Sequence, residues 1–313
     1  MNKSTHIFKA MGGEFQLMCF PQNTISYDHV HEIFLKAEKE VLRVEKKFTD
    51  FHNSPLNDIN NNAGINPVTV DEELFTLVSK AIDISKQSQG IFDISYASVG
   101  HPWREAKKNG QTLSSQIINE LKAYIDYKRI EFDANKQTIY LPHPKIQIGL
   151  GGIGKGYAVD QAYEVLKKNG LYNFYINGSG DIRVNSHPEA PRLWRVGIRN
   201  PFSKDPGQSA GVIQIKDGSV ASSGGYIHKN TSSKHQQDHH IIEPKSGQSH
   251  HELIATTVLA DDAITADTTA TILMNLSAAR ALSYLDQLNL SGFVIDQSGK
   301  SHLSQKALAS FGK

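Results

Sequence analysis

A single cysteine in 313 residues excludes an intrachain disulfide and a cysteine-held zinc cluster. That cysteine, Cys19, lies in the alternating run FQLMCF, where a small buried hydrophobe is the expected role. The chain has no charge excess either, with 33 Lys and Arg against 32 Asp and Glu. Nothing in that balance calls for nucleic acid or an acidic membrane surface as the main partner. No apolar run is long enough to span a bilayer. The start, MNKSTHIFKAMGGEFQL, lacks the apolar stretch of a signal peptide, which sets the expectation of a cytoplasmic protein. No internal repeat and no clean linker interrupt the chain, so one domain over residues 1–313 is expected. What is present is 39% hydrophobic residues, enough to build a core.

Residues 5–20 read as a strand. Ser26 to Phe48 reads as an amphipathic helix, with Val30, Ile33, Phe34, Ala37, Val41, Val44 and Phe48 on a 3.6-residue period. Phe48 to Gly64 is a polar stretch with the composition of a loop. A second helix is predicted near Asp71–Ser88, stopping at Gly90. RIEFD, TIYLP and KIQIG then read as short strands. A helix from about Gly154 to Lys168 ends at Asn169-Gly170. NFYING, WRVGIR, GVIQI and SVASSG follow as strands, and Lys229 to His239 as an exposed hairpin or loop. The end carries a strand at Ala255–Leu259, helices near Ala263–Leu276 and Ala278–Leu288, and the strand GFVID. Helices mixed with short strands, without strict βαβ alternation, predict an α+β fold with mixed or antiparallel sheets rather than a doubly wound Rossmann sheet.

The glycine-rich run IQIGLGGIGKGYAVDQA fits parts of two phosphate-binding patterns. Gly149, Gly154 and Lys155 spell the start of a P-loop, but Gly156 stands where that loop needs a metal-binding Ser or Thr. Gly149, Gly151 and Gly154 spell G-x-G-x-x-G, but no ribose-binding acid follows at the required distance. Farther on, Asp267 and Thr271 lie four residues apart and so share a helix face. A carboxylate and a hydroxyl so placed make a hard oxygen pair suited to Mg²⁺ or Ca²⁺. The alternative for the pair is a helix N-terminal cap region.

Seven stretches, in order from near residue 10 to near residue 276, resemble the motifs of the ApbE family of FAD:protein FMN transferases. They are AMGG (Ala10–Gly13), FDISYASVG (Phe92–Gly100), GLGGIGKGYAVD (Gly149–Asp160), GSGDIR, SSGGY, HHIIEPKSG and ADTTAT (Ala266–Thr271). The resemblance implies an ApbE-like fold and an Mg²⁺-dependent flavin transferase. Such an enzyme cleaves the pyrophosphate of FAD, releases AMP and joins FMN to a Thr or Ser of an acceptor flavoprotein. It implies Asp267 and Thr271 as metal side chains, with Gly152, through its carbonyl, and Ala270 beside the metal. Met11, Phe51, Ile91, Phe92, Asp93, Lys155 and Ile242 fall on flavin-nucleotide contacts. His240 falls on the family histidine, whose role would be to accept the proton of the acceptor hydroxyl, since imidazole titrates near neutral pH; the alternative is a structural hydrogen bond. Backbone N–H groups near Gly151–Gly156 are expected to meet phosphate at a helix start.

The chain departs from the family pattern at four places. Gly149 replaces the leading Asp, which removes one polar contact to the flavin nucleotide. Gly154 replaces an Ala, Glu243 replaces the Asp of the D-P turn, and GHPW replaces the usual proline-leucine continuation. Two further members of the same family class stay open: an enzyme that hydrolyses FAD to FMN and AMP, and a FAD-binding protein without turnover. A third reading, a metal-binding protein, rests on 14 histidines, among them His235, His239, His240, His250 and His251. Those lie in polar, loop-like sequence, which favours a solvated surface.

Overall fold

The computed structural model describes residues 3–21, 25–203, 205, 208–224 and 241–311. The chain opens with β1 (Ser4–Ala10), β2 (Gly13–Cys19), α1 (Tyr27–Phe48), α2 (Pro55–Asn61), β3 (Val68–Thr69) and α3 (Glu72–Gln87). Next come α4 (Ala97–Lys108), α5 (Ser115–Leu121), β4 (Glu131–Asp133), β5 (Thr138–Tyr140), α6 (Gly154–Lys168), β6 (Phe174–Gly178) and β7 (Asp181–Asn185). They are followed by β8 (Trp194–Arg199), β9 (Ser209–Ile215), β10 (Gly218–Gly224) and β11 (Leu253–Ala260). The chain closes with α7 (Ala263–Met274), α8 (Ala278–Gln287), β12 (Ser291–Asp296), β13 (Ser301–Leu303) and α9 (Gln305–Phe311). The contacts divide these into two compact units. The first comprises Met1–Glu45, Gly152–His235 and His251–Lys313, the second Lys46–Gly151 and Gln236–His250.

The first unit is built on an eight-stranded sheet in the order β1-β2-β6-β7-β10-β11-β12-β13, with β8 and β9 forming a separate ribbon. Every strand pairing among the described residues is antiparallel. This is the expected α+β class, and it excludes a doubly wound parallel sheet. The predicted strand at residues 5–20 is a hairpin. Met11 and Gly12 take φ of 52° and 76°, the pair of positive angles that a two-residue type I′ turn requires. In α1 the predicted stripe is buried as written: Val30, Ile33, Phe34, Ala37, Val41 and Val44 are within 1% of full burial. Helix α7 is buried nearly all round and packs on β10, β11 and α6. Cys19 is a fully buried core residue on β2, and burial pushes its thiol up to about 12.

The second unit holds α2–α5 and a three-stranded sheet in the order β3-β5-β4. Two expectations need correction here. The polar stretch 48–64 contains α2, started by Ser54, whose hydroxyl accepts from the Asn57 amide at 3.0 Å, and by Pro55 in the first turn. KIQIG forms no strand among the described residues. Side chains take the place of a strand neighbour: Asn60 Oδ1 accepts from Ile148 N at 2.8 Å, and Asn60 Nδ2 donates to Ile148 O at 2.9 Å. Gln147 N donates to the Ser98 hydroxyl at 3.0 Å. Helix α3 runs as predicted, capped by Asp71 and released through Gln89 and Gly90, both at positive φ. No helix among the described residues is long and apolar enough to cross a membrane.

Candidate functional site

In the first unit, two carboxylates and one ammonium meet at the start of α6. Asp181, the first residue of β7, is 1% exposed, and Asp267, on the fifth position of α7, is 2% exposed. Lys155 Nζ donates to Asp181 Oδ2 and stands 3.9 Å from Asp267 Oδ1. Gly156 N donates to Asp267 Oδ2 at 3.0 Å. Burial raises the Asp181 pKa, the Asp267 charge raises it further, and Lys155 only partly opposes them. With both carboxylates ionised, the two around one ammonium would carry surplus negative charge in a low-dielectric setting, so the pair favours taking up a proton or a cation. A proton on Asp181 answers that surplus, and a hard divalent cation could answer it as well; Thr271 lies one helical turn from Asp267.

The same place is fastened by a second carboxylate system. Asp160 of α6 accepts from the first two amides of α7, Ala263 N at 2.8 Å and Ile264 N at 3.0 Å. Arg183 Nη1 donates to Asp160 Oδ1 at 2.5 Å. In the other direction, Asp267 of α7 takes the Gly156 amide of α6. The two helices therefore satisfy each other's terminal amides through side chains. They also touch closely, since a Cβ on Gly156 would lie 2.5 Å from Ala263 O. This decides against Asp267 as the cap of α7. The cap is Asp262, whose Oδ1 accepts from Thr265 N at 2.8 Å. It also corrects the expected phosphate cradle at one position, because the Gly156 amide is committed to Asp267.

In the second unit, a cleft of about 860 Å³ is lined by Asp50, Phe51, His101, Trp103, Arg104 and Lys107, among others. Arg104 grips Asp50 with both terminal nitrogens, Nη1 to Oδ1 at 3.1 Å and Nη2 to Oδ2 at 2.9 Å. His101 Nε2 donates to Asp50 Oδ2 at 2.8 Å. Burial pushes the Asp50 carboxyl up, but the hydrogen bonds and charges of His101 and Arg104 outweigh it and hold the carboxyl below its usual range. The Arg104 guanidinium lies 4.1 Å from the Phe51 ring centre, and Phe51 is 72% exposed.

The predicted residues fall as follows. Lys155 and Asp267 come together, with Gly152 in the turn that leads into α6. Ala270 is buried on α7, and its carbonyl accepts from the Thr256 hydroxyl at 2.9 Å. Met11 sits in the β1–β2 turn, where its amide donates to Glu45 Oε1 at 2.6 Å. Phe51 lines the second-unit cleft. Ile91, Phe92 and Asp93 form the turn after α3. The buried Asp93 carboxylate is occupied by Ser95 N, the Ser95 hydroxyl and Tyr127 N at 2.8, 2.6 and 2.9 Å. Ile242 is buried near Gly100. His240, like the predicted loop at Lys229–His239, lies outside the described residues. Among the described residues, no group of three His, Cys, Asp or Glu has the arrangement of a metal site. Asp181, Asp50, His101 and Arg104 were not singled out from the sequence. Asp181 stands in GSGDIR, where a buried acid opening a strand was the available signal.

The ApbE family model matches residues 11–294. The chain belongs to the ApbE family. Among the curated ApbE relatives is the FAD:protein FMN transferase of Haemophilus influenzae, 26% identical over 96% of this chain and 88% of that protein. The FAD:protein FMN transferase of Escherichia coli K12 is 24% identical over 85% of this chain and 76% of that protein. Among solved structures, the ApbE protein of Thermotoga maritima superimposes with a TM-score of 0.88 at 22% identity, covering all of both chains. The flavin transferase ApbE of Vibrio cholerae gives a TM-score of 0.81 at 19% identity over 97% of this chain and 98% of that one. These likenesses establish the ApbE fold for this chain.

Proposed function

We propose that this chain is an FAD:protein FMN transferase that uses Mg²⁺. The single observation that carries the reading is the buried Asp181–Lys155–Asp267 cluster, set at the α6 start that the family motif marks. The names of its curated relatives support the same activity. In this reaction the phosphoanhydride bond of FAD breaks and AMP leaves. A phosphoester forms between the FMN phosphorus and a Thr or Ser oxygen of an acceptor flavoprotein, and the hydroxyl proton is lost.

The side chains of Asp267 and Thr271 suit a hard cation and would hold Mg²⁺, with the Gly152 carbonyl and the Ala270 position beside it, although the Ala270 carbonyl itself already accepts from the Thr256 hydroxyl. When bound, the cation supplies Lewis-acid withdrawal of charge from a phosphoryl oxygen. Lys155 places a positive charge beside the two carboxylates, where it can also face phosphate oxygens. The Gly156 amide holds Asp267 in one orientation. His240 is the residue that the family pattern assigns to the acceptor proton.

The test is incubation of the protein with FAD and Mg²⁺, with and without a Thr-containing acceptor flavoprotein. Transfer predicts AMP release and an acceptor heavier by FMN less one water. Free FMN and AMP without a modified acceptor would make the protein a FAD hydrolase. FAD binding without AMP would make it a carrier.

A further inference from the structure

We propose that Asp50 is a ligand-binding residue, and that its carboxylate replaces the acid that the family pattern carries at position 149. Gly149 looks like a loss in the sequence, but the space beside it is filled. A Cβ at Gly149 would lie 2.8 Å from Asp50 Oδ2, 3.2 Å from the Tyr96 hydroxyl and 3.3 Å from Ala97 Cβ. The group that fills the space is again a carboxylate. It is supplied by the segment between α1 and α2 instead of the glycine loop. Of its two holders, His101 comes from GHPW, the stretch where the chain leaves the family's usual continuation, and Arg104 is the residue that follows it. Two separate departures from the pattern thus meet on one side chain. A chance loss of the acid at 149 explains neither the carboxylate beside it nor the residues that hold it.

The Asp50 side chain is 7% exposed, yet it lines the cleft. Three donors occupy three of roughly four acceptor positions on a carboxylate, which leaves one for a ligand. Next to it, Phe51 offers an exposed aromatic face stacked with Arg104. The matching ligand is a flat heteroaromatic ring that presents an N–H donor at its edge. Isoalloxazine and adenine both have this chemistry. Naming these two rings rests on the flavin reading above; the exchange of position 149 for Asp50 does not.

The experiment measures binding of FAD, FMN and AMP to wild type, Asp50→Asn and Asp50→Ala, beside a stability cycle of Asp50→Ala, Gly149→Asp and the double variant. Losing a hydrogen bond to a charged group should weaken FAD binding by about 10- to 100-fold. The same loss should appear with FMN or with AMP but not both, which identifies the ring in the cleft. Gly149→Asp alone should destabilise, because two carboxylates would crowd one place. Adding Asp50→Ala should recover part of that stability. Asp50→Asn keeps the shape if Asp50→Ala fails to fold. Binding of all three ligands within twofold of wild type by Asp50→Asn would overturn the ligand role. Additive stabilities in the cycle would overturn the exchange. Wild-type protein that binds none of the three would overturn the flavin reading, and the stability cycle would still decide the exchange.

Discussion

Gly156→Ala tests the helix crossing on which the carboxylate cluster depends. The added methyl would lie 2.5 Å from Ala263 O, 2.8 Å from Ala263 C and 2.9 Å from Ile264 Cα. All three are backbone atoms, so no flexible side chain can swing aside, and α6 and α7 must move apart by several tenths of an ångström or more. Overpacking of this kind costs about 1–3 kcal/mol. The same movement stretches the 3.0 Å bond from Gly156 N to the Asp267 carboxylate. A hydrogen bond to a charged group contributes about 1.5–3 kcal/mol, of which a part is lost. Alanine's helix propensity returns at most about 1 kcal/mol. The balance is a loss of about 2–4 kcal/mol, read by urea denaturation. Because Asp267 loses its anchor, Mg²⁺ should also be needed at higher concentration for AMP release from FAD. A variant as stable as wild type, or more stable, would refute the reasoning. It would mean that propensity outweighs the contact and that the helices do not meet at Gly156.

Asp267→Ala should lower AMP release by about 10²–10³-fold, the usual cost of removing one well-placed electrostatic stabiliser, while Asp262→Ala should cost about 1 kcal/mol of stability and leave the rate alone. A Mg²⁺ titration of AMP release beside a thermal melt separates the two variants, and the reverse pattern would move the metal role to Asp262. Cys19, fully buried with its thiol pushed up to about 12, should not react with a thiol reagent at pH 8 in the native protein and should react once in denaturant. Asp50 is held below its ordinary carboxyl range when folded, so its pairing stabilises the fold above the unfolded value of about 4 and loses that effect as pH falls through the lower folded value. The stability gap between wild type and Asp50→Asn should therefore shrink as pH is lowered below about 4, as followed by urea midpoints.

What the sequence made legible was what local rules determine. The α1 stripe, the Asp71 start of α3, and the Asn169-Gly170 end of α6 each follow from periodicity or turn chemistry within a few residues. The run KIQIG obeys the same alternation and still pairs with no strand, because Asn60 and Ser98 reach it from elsewhere. Periodicity reports which side chains are buried, as Ile146 and Ile148 are, but not who satisfies the amides between them. The site shows the same division. Asp267 and Thr271 were visible as a pair because four residues make a helix face. The functions of Asp181 and Asp160 were hidden, since one depends on Lys155 at the start of another helix and the other on a helix start about a hundred residues away. Position 149 carries this furthest. Read alone, Gly149 subtracts a carboxylate from the family pattern. In three dimensions it opens the space that Asp50 fills, and a carboxylate there would have to displace Asp50 and Tyr96. A departure from a motif is therefore a statement about what stands next to that residue in space, and only a neighbour distant in sequence can say whether the chemistry was lost or moved.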